Sequence, residues 1–118
     1  MSCPQFVAAT MGVRAAAHLM HLSTRSYAQH VALGEFYEGL DGLVDKYAEV
    51  YMGLEKRVDT WPRVTLPAAD GPIELVADYL ALVQEEQSED RDSEALTNIL
   101  AELEELAARA LYKLKNLS

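Results

Sequence analysis

The sequence predicts an all-α fold, a four-helix bundle of one domain over residues 1–118 with one long crossover between the second and third helices. Three observations carry that prediction. Apolar residues recur at helical spacing in four separate stretches, and no strand pattern of useful length appears. Ser26 stands three residues before Gln29 at the head of the second stretch, which is capping-box spacing. Between the second and third stretches the chain carries Pro62, Pro67 and Pro72, too many prolines for a long regular helix.

The first helix is expected over residues 4–22. Pro4 suits its first turn, and Ser23, Thr24 and Arg25 break it. Phe6, Val7, Ala9, Met11, Val13, Ala15, Ala16, Ala17, Leu19 and Met20 surround it almost completely. A helix apolar all round is a buried one, often between subunits. Cys3 falls just before it, at a terminus expected to fray, and carries no catalytic expectation.

The second helix is expected from Tyr27 to about Met52, with Gly53 where a left-handed cap belongs. Its roughly 26 residues span about 39 Å. The segment 54–72 can extend up to about 60 Å, enough to run back along the bundle. The third helix then starts in the same direction as the second, which is the connectivity of ferritin-like bundles. It is expected over residues 73–87, with Ile73, Val76, Leu80 and Val83 along one side. The polar stretch Gln84 to Asp92 makes a turn. The fourth helix is expected over 93–116, with Leu96, Ile99, Leu100, Leu103, Leu106, Ala107, Ala110, Leu111 and Leu114 at helical spacing.

Composition narrows the function. The formal charge of −9 argues against nucleic acid as a partner. A single cysteine excludes an intrachain disulfide and fits a reducing, cytoplasmic compartment. No run approaches the ~20 apolar residues of a membrane span, and no secretory signal is evident. There is no Gly-rich phosphate loop and no credible arrangement around a serine nucleophile.

The informative stretch is His18 to Glu49. All three histidines, His18, His21 and His30, fall in its first part, and Glu35, Glu38, Asp41, Asp45 and Glu49 follow. With Tyr27 set to zero, His30 lies at about 300°, Asp41 at 320°, Asp45 at 0°, Glu38 at 20° and Glu49 at 40°. One histidine and four carboxylates therefore share an arc of roughly 100°. Like charges at i,i+4 repel by a few tenths of a kcal/mol, so the stripe is either a solvated face or a ligand set. Imidazole and carboxylate together suit iron, zinc or manganese. Asp45 and Glu49, at i,i+4, can reach one ion.

These spacings resemble the ferroxidase signature of the Dps proteins, the mini-ferritins. His18 precedes His30 by twelve residues, Asp45 follows His30 by fifteen, and Glu49 follows Asp45 by four. The likeness includes Ala17-His18, a helix break between the histidines, Tyr27 at an aromatic position and Ala48-Glu49, and covers roughly residues 15–53. In that family two histidines and an aspartate come from one subunit, and a later aspartate and glutamate from its two-fold mate. The resemblance thus implies a homo-oligomer, a dimer or a larger cage, in which His18 and His30 face Asp45 and Glu49 of another copy. It implies bound iron and oxidation of iron(II). The family's aspartate four residues after the second histidine is Gly34 here. Glu35 and Glu38 are the nearest substitutes, and His21 and Asp41 are further auxiliaries. The family's lysine-rich DNA-binding tail has no counterpart.

The contrasting expectation is a non-enzymatic helical interaction protein that uses the bundle to oligomerise. Short Dps-like chains of this kind resemble small phage proteins of unknown function.

Overall fold

The computed structural model describes residues 1–89 and 93–118. Four helices follow one another: α1 (Cys3–Ser23), α2 (Tyr27–Leu54), α3 (Pro72–Ser88) and α4 (Glu94–Asn116). Residues 55–71 connect α2 to α3 without helix or strand. The turn expected at 84–92 begins only after Ser88, and its last three residues lie outside the described set.

The helix ends are set by local chemistry. Ser2 and Gln5 form a capping box. The Ser2 hydroxyl accepts from the Gln5 amide at 3.2 Å, and the Gln5 side chain accepts from the Ser2 amide at 2.8 Å. This start does not fray, contrary to expectation: Cys3 sits buried in the first turn. At α2 the box is only half made. Ser26 accepts from the Gln29 amide, but the Gln29 side chain takes the Thr24 hydroxyl at 2.7 Å instead of returning to Ser26. Thr24 in turn accepts from the Ser26 amide. Gly53 is not a left-handed cap: α2 runs through it to Leu54, and no described residue has positive φ. Ser93 caps α4, with Glu94 in its first turn and Lys113 and Lys115 in its last, matching the helix dipole.

Contacts fix the directions. Phe6 meets Tyr47, Arg14 meets Asp41 and His21 meets His30, so α1 and α2 are antiparallel. The Met1 amino group lies 3.6 Å from Glu86, while Thr10 meets Tyr79 and Val13 shares a groove with Leu75. Hence α3 is also antiparallel to α1, and α2 and α3 run the same way, as the crossover requires. The pairs Lys46–Glu102 and Glu35–Lys113 set α4 antiparallel to α2. The 28 residues of α2 span about 42 Å, nearly the whole 43 Å long axis.

The core is organised by aromatic rings. Phe6 lies 5.3 Å from Tyr47 and 6.4 Å from Tyr79, and Phe36 lies 6.1 Å from Tyr79. Each such fully buried side chain contributes about 1.5–3 kcal/mol. The Tyr79 hydroxyl is 3.0 Å from that of Thr10, which removes the cost of burying either group alone. On α3 the buried face is Leu75, Val76, Tyr79, Val83 and Glu86. Ile73, expected along this side, lies about 120° round the helix from Tyr79 and remains exposed.

The crossover packs against one side of α1. The backbone carbonyl of Thr65 lies 2.2 Å from where a Gly12 side chain would begin, so only glycine admits this approach. Ala8, Gly12 and Ala16 form a flank of small buried residues on α1. The neighbouring arc of α1 is open: Met11, Leu19 and Leu22 are 40, 51 and 66% exposed. Among the described residues, no helix is long and apolar enough to cross a membrane.

Candidate functional site: the α1–α2 face

The antiparallel packing of α1 on α2 brings the three histidines to one end of the bundle. His21 and His30 are interlocked. The His21 Nδ1 lies 2.6 Å from the His30 carbonyl oxygen, and the His30 Nδ1 lies 2.9 Å from that of His21. A carbonyl only accepts, so each ring donates from Nδ1, and in its neutral form keeps its lone pair on Nε2. The two rings stack at 3.7 Å. Gly34 makes room for them, because a side chain there would begin 3.2 Å from the His21 ring. The space that a side chain at position 34 would enter is thus taken by the His21 ring.

His18 is differently engaged. Its ring stacks on Tyr37 at 4.3 Å, and its Nδ1 lies 3.1 Å from an Arg14 guanidinium nitrogen. Arginine only donates, so this Nδ1 accepts and the neutral ring holds its proton on Nε2. The same guanidinium grips Asp41 through two bonds of 2.9 and 3.2 Å and lies over the Tyr37 ring. Parallel N–H···O bonds of this kind are the strong form of an ion pair. The exposure of Asp41 keeps its stabilising effect small.

The acidic stripe separates into paired and bare members. Asp41 is held by Arg14, and Glu35 by Lys113. Glu38, Asp45 and Glu49 are exposed and take no partner among the described residues. From His30 to Asp45 and Glu49 the rise along α2 is roughly 22–28 Å. The histidine end and the bare carboxylates of one chain cannot meet on one ion. Accordingly, no three His, Cys, Asp or Glu side chains cluster closely enough to hold a metal among the described residues.

The signals missed in the sequence were Arg14 and Tyr37. Arg14 lies four residues before His18, one helical turn, and is the only Lys or Arg of α1. Tyr37 lies about 20° from His30 on the α2 wheel, at the edge of the arc that holds the ligand candidates.

The class defined by this geometry is an antiparallel helical bundle with one crossover and a histidine- and carboxylate-bearing α1–α2 face. The chain belongs to a family of unknown function, DUF5856, whose model matches residues 21–114. That match takes in His21, His30, Asp45 and Glu49. No curated protein and no solved structure matches the chain.

Proposed function

We propose that the chain is a mini-ferritin-like subunit that pairs with a second copy through its α1–α2 face and binds a divalent transition-metal ion across that interface. The observation that carries this reading is the separation of open donors along one face. The His30 Nε2 stands at one end, and bare Asp45 and Glu49 stand roughly 22–28 Å away. A two-fold axis through the middle of α2, near Glu38 and Gly42, superposes the histidine end of one copy on the carboxylate end of the other. The open apolar flank of α1, Met11, Leu19 and Leu22, supplies burial for such a pairing.

The residues present fit an ion there. The Nδ1–H bond of His30 to a backbone carbonyl is the arrangement that orients a metal-ligating imidazole. One imidazole and two carboxylates suit iron(II), manganese or zinc more than magnesium. Iron(II) held there would be a substrate for oxidation to iron(III), with dioxygen or a peroxide taking up the electron. The ion would also relieve the repulsion between Asp45 and Glu49.

Light scattering and iron(II) or zinc(II) titration by calorimetry test the reading. The wild type is expected to dimerise and to bind, and Asp45→Asn with Glu49→Gln to lose tight binding while staying folded. Equal, weak binding by both proteins would remove the metal from the account.

A second reading is favoured by the histidine network itself. Stacked rings 3.7 Å apart hold their lone pairs in separate, nearly parallel planes, so His21 and His30 cannot chelate one ion as they stand. In this reading the histidines join α1 to α2, and the bundle is a metal-free assembly module. A stable dimer that takes up no ion supports it.

A further inference from the structure

We propose that Arg14 acts as a built-in cation that withholds His18 and Asp41 from the ion, confining each site to His30 with Asp45 and Glu49 of a second copy. This rests on the metal reading of the α1–α2 face and assigns its regulation to a positioning residue. Three contacts converge on one guanidinium. It donates to His18 Nδ1 at 3.1 Å, clamps Asp41 at 2.9 and 3.2 Å, and lies 4.8 Å over the Tyr37 ring. Because a guanidinium neither accepts nor deprotonates, the His18 lone pair on Nδ1 is committed to it. The remaining nitrogen, Nε2, carries the proton and has no lone pair in the ring plane for a metal.

The Tyr37 ring makes this state selective. It stacks on His18 at 4.3 Å and carries Arg14 above it, so imidazole and guanidinium are oriented by one aromatic platform. His18 can turn an Nε2 lone pair outward only by moving its proton to Nδ1. That would set two N–H donors against each other, so the exchange requires Arg14 to withdraw. Asp41, on the same arc as Asp45, is already neutralised and adds no charge to the ion site. Arg14 thereby divides the acidic stripe into a fixed half and a ligating half.

The test compares wild type, Arg14→Met, and Arg14→Met with His18→Asn, using zinc(II) alone as the probe. Methionine keeps an unbranched apolar stem while removing every donor and the charge. The expected gain for Arg14→Met is about tenfold or more in zinc affinity, the usual scale of changes beside a metal ligand. Adding His18→Asn is expected to remove the share of the gain that His18 supplies, leaving only what the freed Asp41 adds. Nitrogen-15 imidazole spectra should show His18 protonated on Nε2 in the wild type and no longer held there in Arg14→Met. A merely structural arginine would not move that signature. An unchanged affinity in Arg14→Met, a gain undiminished by His18→Asn, or a wild-type His18 protonated on Nδ1 overturns the role of Arg14. If neither wild type nor Arg14→Met binds zinc, the metal reading itself falls and takes this inference with it. Zinc binding by the wild type without a gain overturns Arg14 alone.

Discussion

His21 and His30 hold each other by reciprocal bonds, each ring nitrogen lying against the other residue's backbone carbonyl, at 2.6 and 2.9 Å. The carbonyl of His21 belongs to the last turn of α1 and lacks a full helical partner set, so the His30 ring serves as a C-terminal cap delivered from α2. The clasp joins the end of one helix to the start of the next across a short break.

Removing one ring should therefore loosen the hairpin end without unfolding the bundle. His21→Ala is expected to cost about 1–3 kcal/mol, combining a lost hydrogen bond with the space left against Gly34. Chemical denaturation measures it. A cycle with His30→Ala should show coupling of at least about 0.5 kcal/mol, and strict additivity would mean that the rings act independently.

Two glycines should respond oppositely to the same change. Gly12→Ala places a methyl group 2.2 Å from the Thr65 carbonyl and must push the crossover off α1, for a loss of about 1–3 kcal/mol. Gly53→Ala, in the last turn of α2 with nothing within 4 Å, should stabilise by about 0.5–1 kcal/mol. Thermal melts of the two variants check the sign. A neutral Gly12→Ala would mean that the crossover is not held against α1.

Tyr79 gives the fold a high-pH limit. Burial pushes its phenol above the usual tyrosine range, and the bond to Thr10 opposes that shift only in part. The unfolded chain ionises near pH ~10 while the folded one keeps its proton, so stability is full below that pH and falls as pH rises further. Tyr79→Phe should cost about 0.5–1.5 kcal/mol at neutral pH and flatten the decline above pH ~10. Urea midpoints across pH 8–11 read both effects, and an unchanged slope would assign the decline to other groups.

The fold was legible because its signals are periodic and local. Leu96 to Leu114 on α4 keep one buried face for the length of the helix, and the prolines of 62–72 stop any helix between α2 and α3. Helix ends were less legible where tertiary contacts decided them. Gly53 needed no left-handed turn because α2 simply continues to Leu54. Ile73 fits the helical pattern, but α3 buries a different arc. At the candidate site the spacings of His18, His30, Asp45 and Glu49 were readable, but the bonding of each was not. A tautomer depends on what stands beside each nitrogen. Arg14 beside His18 and a carbonyl beside His30 are facts of packing, invisible in the spacing of twelve residues.

The central claim, an ion site completed by two copies, is tested most directly by mixing two inactive variants. His30→Asn keeps the carboxylates, and the pair Asp45→Asn with Glu49→Gln keeps the histidine. Each variant alone should bind no zinc tightly. Mixed, after reversible unfolding to exchange chains, they form hybrid pairs in which one of the two sites regains His30 from one copy and Asp45 and Glu49 from the other. Calorimetry should then show tight zinc binding restored at one site per hybrid pair. A mixture as inert as its components, with hybrid pairs verified by mass spectrometry, would contradict the shared site.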